Sequence, residues 1–160
     1  MGSLTVALFN AALVLGTILL GAQTDRSHVT DVILISAVGA SVSVFMLWGF
    51  STALPTLCIF SIVYGFFAGA FSTSWTAIIR ELRLIDSHAD AGIMFGMFAA
   101  GRGIGNIVSG PVSESLLATG SWQGLAELGY GTTFGGLIVF VGVTAMLSGS
   151  SWLGRKAGWV

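Results

Sequence analysis

The sequence predicts an all-α membrane protein, a bundle of five transmembrane helices, from three observations. Hydrophobic residues make up 54% of the 160 positions and charged residues only 8%. The mean hydropathy of +0.92 lies far above that of soluble globular domains. Five apolar runs are each long enough to cross a hydrocarbon core of about 30 Å as a helix. Strands are not expected, because a membrane barrel needs segments of about ten residues with alternating polarity.

The five runs follow one another along residues 1–160 and form one partial transmembrane domain. The predicted spans are 3–22, 32–50, 54–79, 91–117 and 130–148. The first is a true span rather than a signal peptide, because no Lys or Arg precedes it and the run is too long. Polar residues 23–31 separate it from the second span, and a tight turn before Pro55 separates the second from the third. Polar stretches 80–90 and 118–129 bound the fourth span, and the fifth ends before the tail from Gly149.

The charged residues are distributed unevenly between the two ends of the predicted bundle. One end carries the basic side chains Arg26, Arg80, Arg83, Arg155 and Lys156, whereas the opposite loops carry Glu127. By the positive-inside rule the basic end is cytoplasmic, in the plasma membrane or an internal membrane. The N-terminus is then outside and the C-terminus cytoplasmic. With a net charge of -1 and six scattered basic residues, nucleic-acid binding is not expected, and the lipid bilayer is the main partner.

Residue types that support catalysis or metal binding are sparse. The single cysteine, Cys58, lies in an apolar run and can form neither an intrachain disulfide nor a cysteine metal site. No predicted span contains a Ser-His pair, paired aspartates or a His-Glu-x-x-His sequence. We therefore expect no enzyme activity, no catalytic residue, no metal and no cofactor.

Small residues at four-residue spacing predict close helix packing, because lipid provides little hydrophobic drive for helices to associate. The pairs are Gly65 and Gly69, Gly92 and Gly96, Gly101 and Gly105, and Gly131 and Gly135. A compact bundle is expected from them.

The fourth span carries a polar stripe that predicts an aqueous route. Arg102, Asn106, Ser109 and Ser113 recur at i, i+4, i+7 and i+11, which places them on one helix face. Because a guanidinium costs several kcal/mol in lipid, Arg102 is expected to face a protein interior or a watery cavity. The alternative is a structural role, in which Arg102 caps carbonyl groups or bridges to another helix.

Two further polar side chains are candidates for the same cavity. Asn10 lies deep in the first span, where an interhelical hydrogen bond and contact with a solute are comparable alternatives. Tyr64 on the third span could add an aromatic ring and a hydroxyl group to the lining.

A family resemblance appears at the first cytoplasmic loop. The segment Gly21-Ala22-Gln23-Thr24-Asp25-Arg26 resembles the G-x-x-x-D-R loop of the major facilitator superfamily, and Tyr64-Gly65-Phe66-Phe67-Ala68-Gly69 follows at the expected distance. The chain is similar to the C-terminal half of a fungal monocarboxylate-porter-like transporter. The resemblance maps the five spans onto helices eight to twelve of a twelve-helix fold.

The resemblance implies a conformational latch at Gly21, Asp25 and Arg26. In the family the aspartate pairs with a nearby charge or helix end, the arginine grips a neighbouring segment, and breaking the latch allows two halves to rock. Many relatives carry arginine directly after the glycine of the first helix, but this chain has Thr17, which cannot pair with a carboxylate. Thr17 remains a cavity candidate, and Arg102 is the hypothesised contact for an anion.

The resemblance implies a piece of a secondary active transporter that moves a small organic solute by alternating access once combined with the missing half. A monocarboxylate moved with a proton is one version, and a sugar or drug is another. The alternative function is a non-transporting membrane subunit, or truncated product, that binds a partner transporter.

Overall fold

The predicted all-α class is confirmed by a computed structural model, which describes residues 2–51, 53–85, 88, 90–120, 124 and 128–156. All regular structure within these ranges is helical. The elements are α1 (Gly2–Thr24), α2 (Val29–Val42) with a π-helical continuation (Ser43–Trp48), α3 (Leu54–Ile85), α4 (Ala91–Thr119), a 3-10 turn (Leu128–Gly131), α5 (Gly135–Ser148) and α6 (Ser151–Lys156). Glu127, used above for the orientation, lies outside the described residues.

Among the described residues, four segments are long and apolar enough to cross a membrane. They are α1, α2 with its π-helical continuation, α3 and α4. The fifth helix is shorter than predicted, because 128–131 forms a 3-10 turn and α5 begins only at Gly135. Its 14 residues cover roughly 21 Å at 1.5 Å per residue, which is less than the thickness of a hydrocarbon core.

Helix α3 is longer than its predicted span. It continues through Arg80 and Arg83 to Ile85, so the prediction of a polar loop from residue 80 is wrong over its first part. Arginine, glutamate and leucine are all good helix formers, and water beyond the lipid can solvate their charges without ending the helix. Arg80 and Arg83 therefore lie on a helix and not in a loop.

The closest contact in the fold joins α1 and α3 through glycine. A Cβ added to Gly65 would lie 2.6 Å from the carbonyl oxygen of Phe9, and one added to Gly69 would lie 2.5 Å from that of Leu13. On α1, Gly16 meets the Phe66 carbonyl more closely still. The predicted packing role of Gly65 and Gly69 is confirmed.

Helix α2 lies between α3 and α5 and carries much of the buried core. Val32 and Ala37 are almost completely buried, and Val44 of the π-helical continuation and Ile138 of α5 are fully buried. The Ser41 hydroxyl donates to the Gly142 carbonyl across the α2–α5 contact at 3.0 Å.

The π-helical continuation of α2 is held by an aromatic hydroxyl. The amide of Gly49 donates to the carbonyl of Val44, five residues earlier, at 3.0 Å. The hydroxyl of Tyr130 donates to the carbonyl of Phe45 at 2.8 Å. The wider turn therefore gains a hydrogen bond from the segment before α5.

Helix α4 is the least covered of the long helices in the described part of the chain. None of its residues is buried, although Asp90 caps its N-terminus by accepting hydrogen bonds from two backbone amides. A Cβ added to Gly96, Gly101 or Gly105 meets no atom within 4 Å. The predicted packing of these α4 glycines against a neighbouring helix is wrong within the part of the chain that the structure describes.

Candidate functional site

The predicted latch loop lies against the C-terminal extension of α3, which runs to Ile85. Asp25 follows α1 in a tight turn, in which the amides of Arg26 and Ser27 both donate to the carbonyl of Gln23. The Asp25 carboxylate lies 3.5 Å from the Arg80 guanidinium, and both side chains are more than 70% exposed. Arg80 was not identified as the partner of this carboxylate from the sequence, because it was assigned to a loop.

A second pair ties the same two elements together. His28 Nδ1 lies 3.5 Å from a carboxylate oxygen of Glu81, with the side chains 55% and 43% exposed. A groove of about 240 Å³ beside the loop is lined by both pairs and by Arg26. Gly21 lies against Thr73 of α3, where an added Cβ would come within 3.2 Å of the methyl group. The three predicted latch residues therefore border one contact between the loop and α3.

The two candidate residues on α1 bond mainly to their own helix. The Asn10 amide donates to the carbonyl of Val6 at 2.8 Å, and its side chain is exposed. The Thr17 hydroxyl donates to the carbonyl of Leu13 at 2.7 Å and lies 3.4 Å from the carbonyl of Gly69 on α3. Thr17 thus contributes to the α1–α3 contact.

Arg102 is exposed, so the described helices do not bury its guanidinium, and its expected place in a protein interior or a watery cavity stays a prediction. The reason is that the half-buried residues of α4, such as Phe98 and Leu116, lie mostly toward its two ends, whereas Asn106 near its middle is exposed. The guanidinium carbon lies 5.8 Å from the centre of the Trp75 ring, a cation–π distance. Trp75 also contacts Phe95 and Phe98, so it anchors α4 to α3.

The five cavity candidates are not gathered into one pocket. Asn10, Thr17 and Tyr64 lie on the α1–α3 pair, whereas Arg102 and Asn106 lie on α4. Tyr64 lines a groove of about 360 Å³ between α1, α3 and the end of the π-helical segment.

An aromatic row lies in this groove, and of its four residues only Tyr64 was predicted from the sequence. Trp48, Phe60, Tyr64 and Phe9 are stacked in that order, with ring centres 5.3, 5.4 and 6.1 Å apart. The spacing of Phe60 and Tyr64 at i and i+4 was the available signal, since it places both rings on one face of α3. The contributions of Trp48 and Phe9 depend on the packing of other helices.

A second groove, of about 520 Å³, continues from the first toward the start of α3. The two share the lining residues Thr5, Trp48, Phe60 and Ser61. Phe134 and Thr132, which precede α5, complete the second groove. We call the two together the aromatic groove.

Comparison with known proteins relates most of the chain to one protein family. The sequence profile described as Major Facilitator Superfamily matches residues 1–152. The chain is also similar to the MFS-type transporter pynF of Aspergillus niger, with 24% identity over 138 residues, or 85% of this chain. That alignment covers 31% of the relative, so the chain spans about a third of the length of that protein. No solved structure gives a significant match.

Proposed function

Because this chain belongs to the major facilitator superfamily, a family of transporters, we propose that it forms part of a secondary active transporter for a small organic solute. The chain is an integral, multi-pass membrane protein. The observation that carries the proposal is the match of the family profile over residues 1–152. Transport by alternating access needs two sets of helices that move against each other. The proposal therefore includes further helices, from another chain or from a longer polypeptide.

The contact between Asp25 and Arg80 supports a latch role for the loop. An exposed pair contributes only about 0 to 1 kcal/mol, but a bias of that size shifts a balanced equilibrium between two conformations severalfold. In the proposed mechanism the loop holds α3 in one conformation and releases it in the other. Arg26 would grip a neighbouring segment of the complete transporter.

Arg102 is the proposed contact for an anionic group of the solute. Its guanidinium has an aromatic neighbour but no salt bridge within the described part of the chain. An unpaired charge in the middle of a span is costly in lipid, so an aqueous cavity, a solute anion or an acidic side chain from outside these residues would stabilise it. A monocarboxylate moved together with a proton is the narrower version of this proposal.

The test measures solute uptake by the complex that co-purifies with this chain. The complex is reconstituted into proteoliposomes, and uptake of labelled lactate and acetate is measured with and without an inward proton gradient. Arg102→Gln should lower uptake of both, whereas Arg83→Gln, at the exposed end of α3, should not. Equal uptake by the two variants would remove Arg102 from the proposal.

A second candidate function is a non-transporting subunit that binds a transporter. The exposed face of α4 favours it, because Gly96, Gly101 and Gly105 leave room for another helix to approach closely. Under this alternative the isolated chain is inert in proteoliposomes and co-purifies with a complete transporter.

A further inference from the structure

Among the residues that the structure describes, the lining of the aromatic groove carries no formal charge. The residues that line its two parts are aromatic, aliphatic, glycine, serine and threonine. An ionic ligand would lose its hydration there without gaining a partner of opposite charge. We propose that this groove binds a neutral molecule with a flat ring system and a hydroxyl group that donates a hydrogen bond.

The aromatic row supports the ring system of such a ligand. Trp48 and Phe60 are stacked with an interplanar angle of 30°, and Phe60 and Tyr64 with one of 28°. Both rings of α3 and the indole line the groove, so part of their surface is available to a ligand. A flat ring can extend this row in an offset stack, which aromatic pairs favour over a face-to-face arrangement.

The hydroxyl groups of the groove determine which hydrogen bond it can form. Thr5 donates to the carbonyl of Gly2 at 2.8 Å, and Ser61 donates to that of Leu57 at 2.9 Å. Thr132 donates in the same way, at 2.6 Å, to the carbonyl of Gly129. Each of these three hydroxyls has one proton, so its oxygen can accept a hydrogen bond from a ligand but has no further proton to donate. The lining also contains the hydroxyls of Ser51 and Tyr64, which can donate, so the preference for a ligand O–H applies at the three bonded oxygens.

The dimensions are those of a small-molecule site. The two parts share four residues and have volumes of about 520 and 360 Å³. Each volume lies within the roughly 300 to 1,000 Å³ typical of ligand pockets. The groove lies on α1, α3 and the ends of α2 and α5, and Arg102 belongs to α4. Binding here does not depend on transport. Only the identification of the ligand as a transported solute rests on the proposed function.

The test compares three probes on the chain in lipid nanodiscs. The first is 6-fluoro-2-naphthol, followed by the broadening of its fluorine NMR line, with empty nanodiscs as the blank. The second is its methyl ether, which has the same rings but no donor. The third is 2-naphthalenesulfonate, an anion, used as a competitor. We expect the naphthol to bind at least severalfold more tightly than the ether, and the sulfonate not to displace it.

A matched pair of serine variants locates the site. Ser61 and Ser74 are both buried on α3, and each donates to a carbonyl four residues earlier, but only Ser61 is among the residues that line the groove. Ser61→Ala should weaken naphthol binding by about two- to tenfold, the equivalent of one hydrogen bond, and leave binding of the ether unchanged. Ser74→Ala should change neither. Phe60→Leu should weaken binding of both naphthalenes.

Two sources in a cell could supply this chemistry, a membrane sterol or a dissolved aromatic alcohol. Nanodiscs with added cholesterol separate them, because displacement of the naphthol by cholesterol indicates a membrane source and retention indicates an aqueous one. Equal affinity for naphthol and ether, displacement by the sulfonate, or equal effects of the two serine variants would each overturn the proposal. Failure of solute uptake with intact naphthol binding would instead contradict the proposed transport function.

Discussion

The glycine contact between α1 and α3 gives a sharp test of the fold. In Gly69→Ala the new Cβ would lie 2.5 Å from the carbonyl oxygen of Leu13 and 2.7 Å from the amide nitrogen of Thr17. Both are backbone atoms, which cannot rotate away as a side chain can. Ordinary contact distances for these atoms are nearly 1 Å longer, so α1 and α3 must separate by about that amount.

The cost follows from the contacts that this separation weakens. A gap of about 0.5–1 Å forfeits a quarter to a half of the attraction between each pair of facing atoms. Inserting a methyl group into a packed interface typically costs about 1–3 kcal/mol, which outweighs the gain of about 0.5–1 kcal/mol from replacing helical glycine by alanine. The difference between these ranges is a net loss of about 0–2.5 kcal/mol in the free energy of unfolding, and we expect the upper half because both clashing atoms belong to the backbone.

Gly101→Ala is the matched control, because its Cβ would meet no atom within 4 Å. Both variants are unfolded in mixed micelles by titration with sodium dodecyl sulfate, and helix content is followed by circular dichroism. Gly69→Ala should unfold at a lower detergent fraction than the parent chain, and Gly101→Ala at the same fraction or a higher one. Equal midpoints for the two variants would refute the α1–α3 packing described above.

Two further predictions concern the basic end of the bundle. In a double-mutant cycle with Asp25→Asn and Arg80→Gln, the coupling energy from the same unfolding titration should be about 0–1 kcal/mol and should fall as salt is added. A larger coupling that does not depend on salt would mean that the pair is buried. With Cys58 replaced by alanine, Ser51→Cys should react with an impermeant maleimide on intact cells, whereas Ser27→Cys should react only after permeabilisation. The reverse pattern would invert the orientation predicted from the positive-inside rule.

The helices could be predicted because length and hydropathy decide them locally. The starts of α3 and α4 at residues 54 and 91 agree with the predicted spans. The ends of the helices were predicted less accurately, because hydropathy indicates where the lipid ends and not where the last backbone hydrogen bond of the helix lies. Thus α3 carries Arg80 beyond its apolar run, and the 3-10 turn shortens α5.

Glycine spacing predicted one interface correctly and another incorrectly. Gly65 and Gly69 meet α1, whereas Gly101 and Gly105 have the same spacing and meet nothing within 4 Å. Spacing shows that a helix face is smooth, but only the position of another helix decides whether that face is covered. The same limit applies to Arg102. Its position in the middle of an apolar run indicates that its charge would be costly in lipid, but the sequence does not specify which group pairs with it.

The candidate sites depend on which residues different helices bring together. The loop motif identified Asp25, but its partner Arg80 lies 55 residues later on a helix that the sequence analysis ended too early. The aromatic groove combines Trp48, Phe60 and Phe9 from three elements. No local pattern indicates their stacking, so only the packing of the helices shows it.

Solute counterflow is the most direct test of the central proposal, that this chain works within a secondary active transporter. The tagged chain is purified from its own membrane with whatever binds to it and reconstituted into liposomes preloaded with unlabelled solute. We expect saturable accumulation of external labelled solute that declines as the internal pool is diluted. Uptake no greater than in empty liposomes, for every organic acid, sugar and aromatic alcohol tried, would contradict it.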